Sequence, residues 1–238
     1  MSTFTAVTIQ TSPINIVLWV ILPYAVVAHF VIAHIWRYTQ SPYTWTTRSS
    51  QLLESRLLRP GITLFHVGVL LAFFGHVLGL LIPDSWTRAA GLSDDAYHTM
   101  AVWSGSFAGT LMCIGLAILA VRRATNERVR AASIVRDYLV LVMLGLVVIT
   151  GLINAYGQFA TPYEYRETVS VWFRSIILHE PRPDLMVNAP WSFQLHALSA
   201  MGLFILWPFT RLVHAWSLPV GYPRRPYIVF RRRRGVAR

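Results

Sequence analysis

The chain has 238 residues, of which 55% are hydrophobic and only 13% charged. That charge content is about half of the roughly 25% found in soluble domains, too little to cover a water-exposed surface. The same hydrophobicity excludes an intrinsically disordered chain, and a lone cysteine, Cys113, excludes a disulfide scaffold.

An integral membrane protein remains, and the placement of the charges supports it. No charge occurs in the first 36 residues, between Arg59 and Asp84, from Ala96 to Val121, from Tyr138 to Tyr163, or from Leu185 to Thr210. Each stretch reaches the roughly 20 apolar residues that cross a bilayer core of about 30 Å. The expectation is an all-α integral membrane bundle of five transmembrane helices, over 14–36, 61–83, 99–121, 138–156 and 191–215. The first apolar run has no basic residues ahead of it, so it reads as a retained helix and not as a signal peptide.

All 21 basic residues are arginine. Seventeen fall between the first and second helices, between the third and fourth, or after the core of the fifth. The other side of the bundle receives Arg88, Arg166, Arg174 and Arg182 with seven of the ten acids. The positive-inside rule then places the N-terminus outside and the C-terminus in the cytoplasm. The net charge of +11 is thus a record of topology and argues for no nucleic-acid partner. Residues 1–220 read as one membrane domain and 221–238 as a basic cytoplasmic tail, whose run Arg231-Arg232-Arg233-Arg234 suits anionic lipid heads or an acidic partner.

Ionisable side chains inside a bilayer are costly and usually functional. The second helix carries His66 and His76, and the fifth carries His196 and His214. The two helices run in opposite directions, so His76 lies level with His196 near the outer face and His66 with His214 near the inner face. Each level pair can supply both axial ligands of one b-type haem between facing helices. Single histidines bonded to backbone carbonyls are the plain alternative. The spacings do not match: ten residues rise about 15 Å and leave an offset of roughly 80°, while eighteen rise about 27 Å and return to one face. Tilt and a kink at Pro208 are expected to absorb part of the difference. Gly68, Gly75, Gly79 and Gly202 would admit flat macrocycles close to backbone, although helix packing explains them equally well.

Further residues carry a resemblance. Arg37-Tyr38, Tyr43-Thr44-Trp45 and Ser49-Ser50-Gln51 ahead of Leu64-Phe65-His66 resemble the respiratory nitrate reductase gamma subunit, a di-haem membrane cytochrome b. So do Gly75-His76-Val77-Leu78-Gly79 before Pro83, and the run from Trp207-Pro208-Phe209-Thr210-Arg211 through His214-Ala215-Trp216 to Val220. The resemblance covers nearly the whole chain. It implies two haem b groups, with His76 and His196 on the distal haem iron and His66 and His214 on the proximal one. It implies oxidation of quinol, menaquinol or ubiquinol, near the outer face of a prokaryotic plasma membrane. Electrons then pass inward to an iron–sulfur beta subunit and a molybdenum-cofactor alpha subunit that reduces nitrate.

His98, at the outer start of the third helix and level with His76, is the candidate quinol partner together with Tyr97. Gly75, beside His76, is the candidate for macrocycle contact. His29 and His34 lie about 140° apart around the first helix and match no ligand pattern, and His179 follows an amphipathic segment, Tyr165 to Leu178, expected to lie along the interface. Two rival readings stand beside this one. One is a cytochrome b of another quinone-linked complex, of the heterodisulfide-reductase-like, hydrogenase or formate dehydrogenase kind. The other is a haem-free transporter or anchor.

Overall fold

The computed structural model describes residues 12–41, 44–45 and 49–216. Tyr43, Arg48, residues 217–220 and the expected tail 221–238 lie outside the described residues.

Among the described residues, five helices are long and apolar enough to cross a membrane: α1 (Pro13–Gln40), α2 (Leu58–Leu81), α4 (Asp94–Thr125), α6 (Val135–Ala160) and α9 (Trp191–Phe209). Between them lie four short helices: α3 (Asp84–Ala89), α5 (Glu127–Ala131), α7 (Val169–Ile177) and α8 (Pro183–Val187). The described residues contain no strand. Every expected span is present, and α1, α4 and α6 run a few residues further than the apolar stretches, because their ends are polar turns. Ser93 caps α4 by accepting from the N–H of Ala96 at 3.3 Å. Asp94 and Asp95 occupy the first turn of that helix and Arg122 and Arg123 the last, each sign matching the end of the helix dipole.

The fifth span departs from expectation. Its regular α-helix stops at Leu206 and tightens into a 3₁₀ turn over Trp207–Phe209, Thr210 is extended with φ −120° and ψ −176°, and the chain re-forms as a second 3₁₀ turn over Arg211–Trp216. Pro208 has no N–H to continue the ladder, which is why the break falls there. His196 and His214 therefore do not share the face of one continuous helix, and the assumption of five whole turns between them is corrected. The break makes the unequal spacings compatible, since His66 and His76 remain on the regular part of α2 (Leu58–His76).

α2 packs chiefly along α4, α4 along α6, α6 along α9, and α9 along α1. The first of these contacts is close because small residues meet backbone. A β-carbon at Gly115 would stand 2.5 Å from the Phe65 nitrogen, and one at Gly68 would stand 2.7 Å from the Ala108 carbonyl oxygen. Gly68 is thus a packing glycine, as is Gly202, where Met143 would lie 2.7 Å away. α2 and α9 make at most marginal backbone contact with each other.

At the acidic end, the expected amphipathic segment contains α7, and α7 packs on the ends of α1 and α2. Trp172 of α7 meets Trp19 of α1 edge-on, with centroids 5.8 Å apart, and its indole N–H donates to the Trp19 carbonyl at 2.9 Å. The same segment completes the end of α2. Ser170 donates to the Gly79 carbonyl at 2.7 Å, Arg174 to that of Leu80 at 3.0 Å and Arg166 to that of Ile82 at 3.2 Å. These are carbonyls that a helix end leaves unpaired, and cations suit them. Burial, and then the neighbouring Arg166, pull the Arg174 pKa below its ordinary value.

Candidate functional site

The four histidines singled out by the sequence meet in two pairs, one member of each on α2 and the other on α9 or the 3₁₀ turn that follows it. His76 and His196 have ring centroids 6.0 Å apart and planes 23° apart. His66 and His214 have centroids 6.1 Å apart and planes 58° apart. Two imidazoles that each place a nitrogen about 2 Å from one metal ion hold their centroids roughly 6 Å apart. Both pairs have that separation.

The hydrogen bonds select the nitrogen that faces the partner. His66 donates from Nδ1 to the Ile62 carbonyl at 2.9 Å, and His76 from Nδ1 to the Ala72 carbonyl at 2.6 Å. His214 donates from Nδ1 to the Arg211 carbonyl at 2.6 Å. The hydroxyl of Thr150 donates to the Leu146 carbonyl at 2.7 Å, so its oxygen accepts from His196 Nδ1 at 3.1 Å. Each ring thereby carries its proton on Nδ1 and its lone pair on Nε2, the arrangement of metal-ligating histidines with their outer partners in place.

Among the described residues, no group of three or more histidine, cysteine or acidic side chains is arranged to hold a metal ion. Pairs alone suit a metal whose remaining ligands come from a macrocycle, as in bis-histidine haem. The paired donors and Gly75, where an added β-carbon would meet nothing within 4 Å, fit such a group.

Two residues of this site escaped the sequence reading. Thr150 and Gly151 on α6 hold His196 from behind, and a β-carbon at Gly151 would stand 3.0 Å from its Cε1. A Thr-Gly step inside an apolar helix was the available signal. At the other pair, the broken end of α9 is gripped by arginines. Arg37 of α1 donates to the carbonyls of Pro208 at 2.5 Å and Thr210 at 2.8 Å, and Arg136 to that of Phe209 at 3.3 Å.

The remaining candidates lie elsewhere. His98 keeps Nε2 buried with no protein partner, which is rare in a finished fold. Tyr97 is buried, its hydroxyl 3.3 Å from that of Tyr165 and its ring 3.9 Å beneath the Arg166 guanidinium. Burial, and then Tyr97, raise the pKa of Tyr165, which keeps that phenol protonated. Gly79 lets both phenols approach α2. His29 bonds through Nε2 to the Ile205 carbonyl at 3.1 Å and thereby ties α1 to α9. His34 bonds to Phe30 at 2.7 Å and packs between Phe30 and Trp45. His179 is exposed and stacks on Tyr24.

The sequence profile of the nitrate reductase gamma subunit matches residues 15–233. The chain is 48% identical over 218 residues to the nitrate reductase-like protein NarX of Mycobacterium tuberculosis, covering 90% of this chain but only 33% of that protein. The chain therefore spans about a third of the length of that relative. It is 42% identical to the nitrate reductase gamma chain of Bacillus subtilis, over 91% of this chain and 98% of that one. It is 38% identical to the respiratory nitrate reductase 2 gamma chain of Escherichia coli, over 93% and 98%.

Proposed function

The chain belongs to the nitrate reductase gamma subunit family, and from that premise we propose that it is the quinol-oxidising, di-haem cytochrome b of a nitrate-reducing complex. The observation that carries this reading is the pair of facing imidazole couples, each with Nδ1 already bonded and centroids 6.0 and 6.1 Å apart. Haem b held at each couple supplies a one-electron carrier. His76 and His196 hold the distal group near the acidic end, and His66 and His214 hold the proximal one near the arginine-rich end.

The chain's own groups do the rest. His98, level with His76 and with an unpartnered Nε2, accepts a proton from a quinol hydroxyl. Tyr97 fixes the start of α4 beside it, anchored under Arg166. The arginine-rich end faces the cytoplasm and docks the iron–sulfur subunit, which passes electrons to the molybdenum-cofactor subunit. Protons released outside while electrons travel inward conserve energy, at about 2.3 kcal/mol per charge per 100 mV.

The test is a difference spectrum of membranes containing the protein with its partner subunits. Added quinol should produce a reduced b-type band that nitrate then bleaches. A b-type band that quinol fails to raise would reject quinol oxidation, and no b-type band at all would reject the haems.

A further inference from the structure

Asp137 sits in the first turn of α6, its side chain 3% exposed. Its two oxygens take Arg211 in a fork, Nε to Oδ1 at 2.5 Å and Nη2 to Oδ2 at 2.6 Å. Arg123 stands 3.3 Å from Oδ2, and the N–H of Ile134 donates to the same oxygen at 3.1 Å. The carbonyl of Arg211 in turn accepts from His214 Nδ1. A buried carboxylate on one helix is thus joined, through a single residue, to the imidazole of a candidate ligand on another.

We propose that Asp137 is a positioning residue for His214. It fixes the Arg211 backbone, and through it the plane and reach of the imidazole. The inference rests on the reading that His66 and His214 hold one haem between them.

The physics favours positioning over simple stabilisation. A buried ion pair contributes little net stability, because desolvation offsets the attraction, and its best-attested use is to fix register. The turn over Arg211–Trp216 is a short 3₁₀ piece beyond a helix break, and such pieces have poor hydrogen-bond geometry of their own. Arg37 and Arg136 hold the carbonyls of residues 208–210. Asp137 holds the side chain of the next residue, whose carbonyl orients the ring. Bidentate arginine–carboxylate geometry is directional enough to transmit that constraint. Outer partners of ligating histidines change metal affinity by about 10–100-fold when removed.

The test uses the full complex in its membrane, with Asp137→Ala, the isosteric Asp137→Asn and the charge-retaining Asp137→Glu. Three readouts are needed: haem per polypeptide, the midpoint potential of each haem, and the low-spin electron paramagnetic resonance signal, which reports the angle between ligand planes. Asp137→Ala and Asp137→Asn should lose half or more of the proximal haem, or retain it with a shifted potential and an altered low-spin signal. The distal haem should be unchanged, and Asp137→Glu should recover part of the proximal signal. Asp137→Asn with both haems at wild-type potential and signal would overturn the inference. Equal loss of both haems would also overturn it, by marking general unfolding. A wild-type complex without two b-type signals would overturn the haem reading itself, a result distinct from insensitivity at Asp137.

Discussion

The imidazole of His196 lies against the backbone of Gly151, so close that a β-carbon there would stand 3.0 Å from Cε1 and 3.5 Å from Nδ1. The preceding residue, Thr150, accepts the Nδ1 proton. Two successive residues of α6 therefore determine how far His196 reaches towards His76. Gly151→Ala should push the ring off its position and reduce occupancy of the distal haem, leaving the proximal one in place. Gly145→Ala, on the same helix with nothing within 4 Å, should leave both haems intact. Equal haem content in the two variants, measured by pyridine haemochrome, would contradict this.

The crossing of α2 and α4 sets the frame for both pairs, since His66 and His76 share α2. At Gly115 an added β-carbon would meet the backbone of α2 at the Phe65 nitrogen, 2.5 Å away, and the Gly61 carbonyl oxygen, 2.8 Å away. Backbone cannot rotate away, so Gly115→Ala should separate the helices. Overpacking of this kind costs typically about 1–3 kcal/mol. The expected result is a lower melting temperature in detergent and loss of both haems together, and an unchanged melting curve would refute the close crossing.

The proposed quinol oxidation places a demand on His98 that haem binding does not. Its Nε2 is buried and unpartnered, so truncation leaves the fold without a broken bond at that atom. His98→Ala should slow quinol-driven haem reduction by about 10²–10⁴-fold, the usual contribution of a positioned acid–base group, and keep both haem spectra. Wild-type stopped-flow kinetics in this variant would remove His98 from the reaction.

The loop before α2 is locked to the end of α4 by Glu54 and Arg122, 2.5 Å apart, with Arg122 also bonded to Ser50. Burial pushes the Glu54 carboxyl up, but the N–H of Leu57 and the Arg122 guanidinium outweigh it, and its pKa lies below the ordinary value. A depressed folded value stabilises above the unfolded pKa of about 4.3 and loses that contribution as pH falls through the folded value. Thermal unfolding should show Glu54→Gln less stable than wild type at pH 7, with the difference shrinking below about pH 4. A difference independent of pH would exclude the ion pair as its source.

The spans, their number and the four paired histidines were legible because each has a local signature: a charge-free run, or an ionisable group inside one. The level pairing followed from antiparallel direction alone. The break at Thr210 was only half legible. Pro208 marked where the helix would bend, but nothing local showed that Arg37, some 170 residues earlier, would satisfy the freed carbonyls. Thr150, Gly151 and Asp137 escaped for the same reason, since their importance lies in what another helix brings to them. Gly68 and Gly202 illustrate the converse, glycines whose sequence context suited a macrocycle and whose neighbours turned out to be Met112 and Met143 side chains.

The central claim is that two haems are each held by one ligand from α2 and one from the α9 segment. Haem per polypeptide in His76→Ala and His214→Ala, measured on the assembled complex, tests it most directly. The account predicts one haem in each variant, with the distal redox component missing from the first and the proximal component missing from the second. Two haems retained in either variant, or loss of the same component in both, would contradict it.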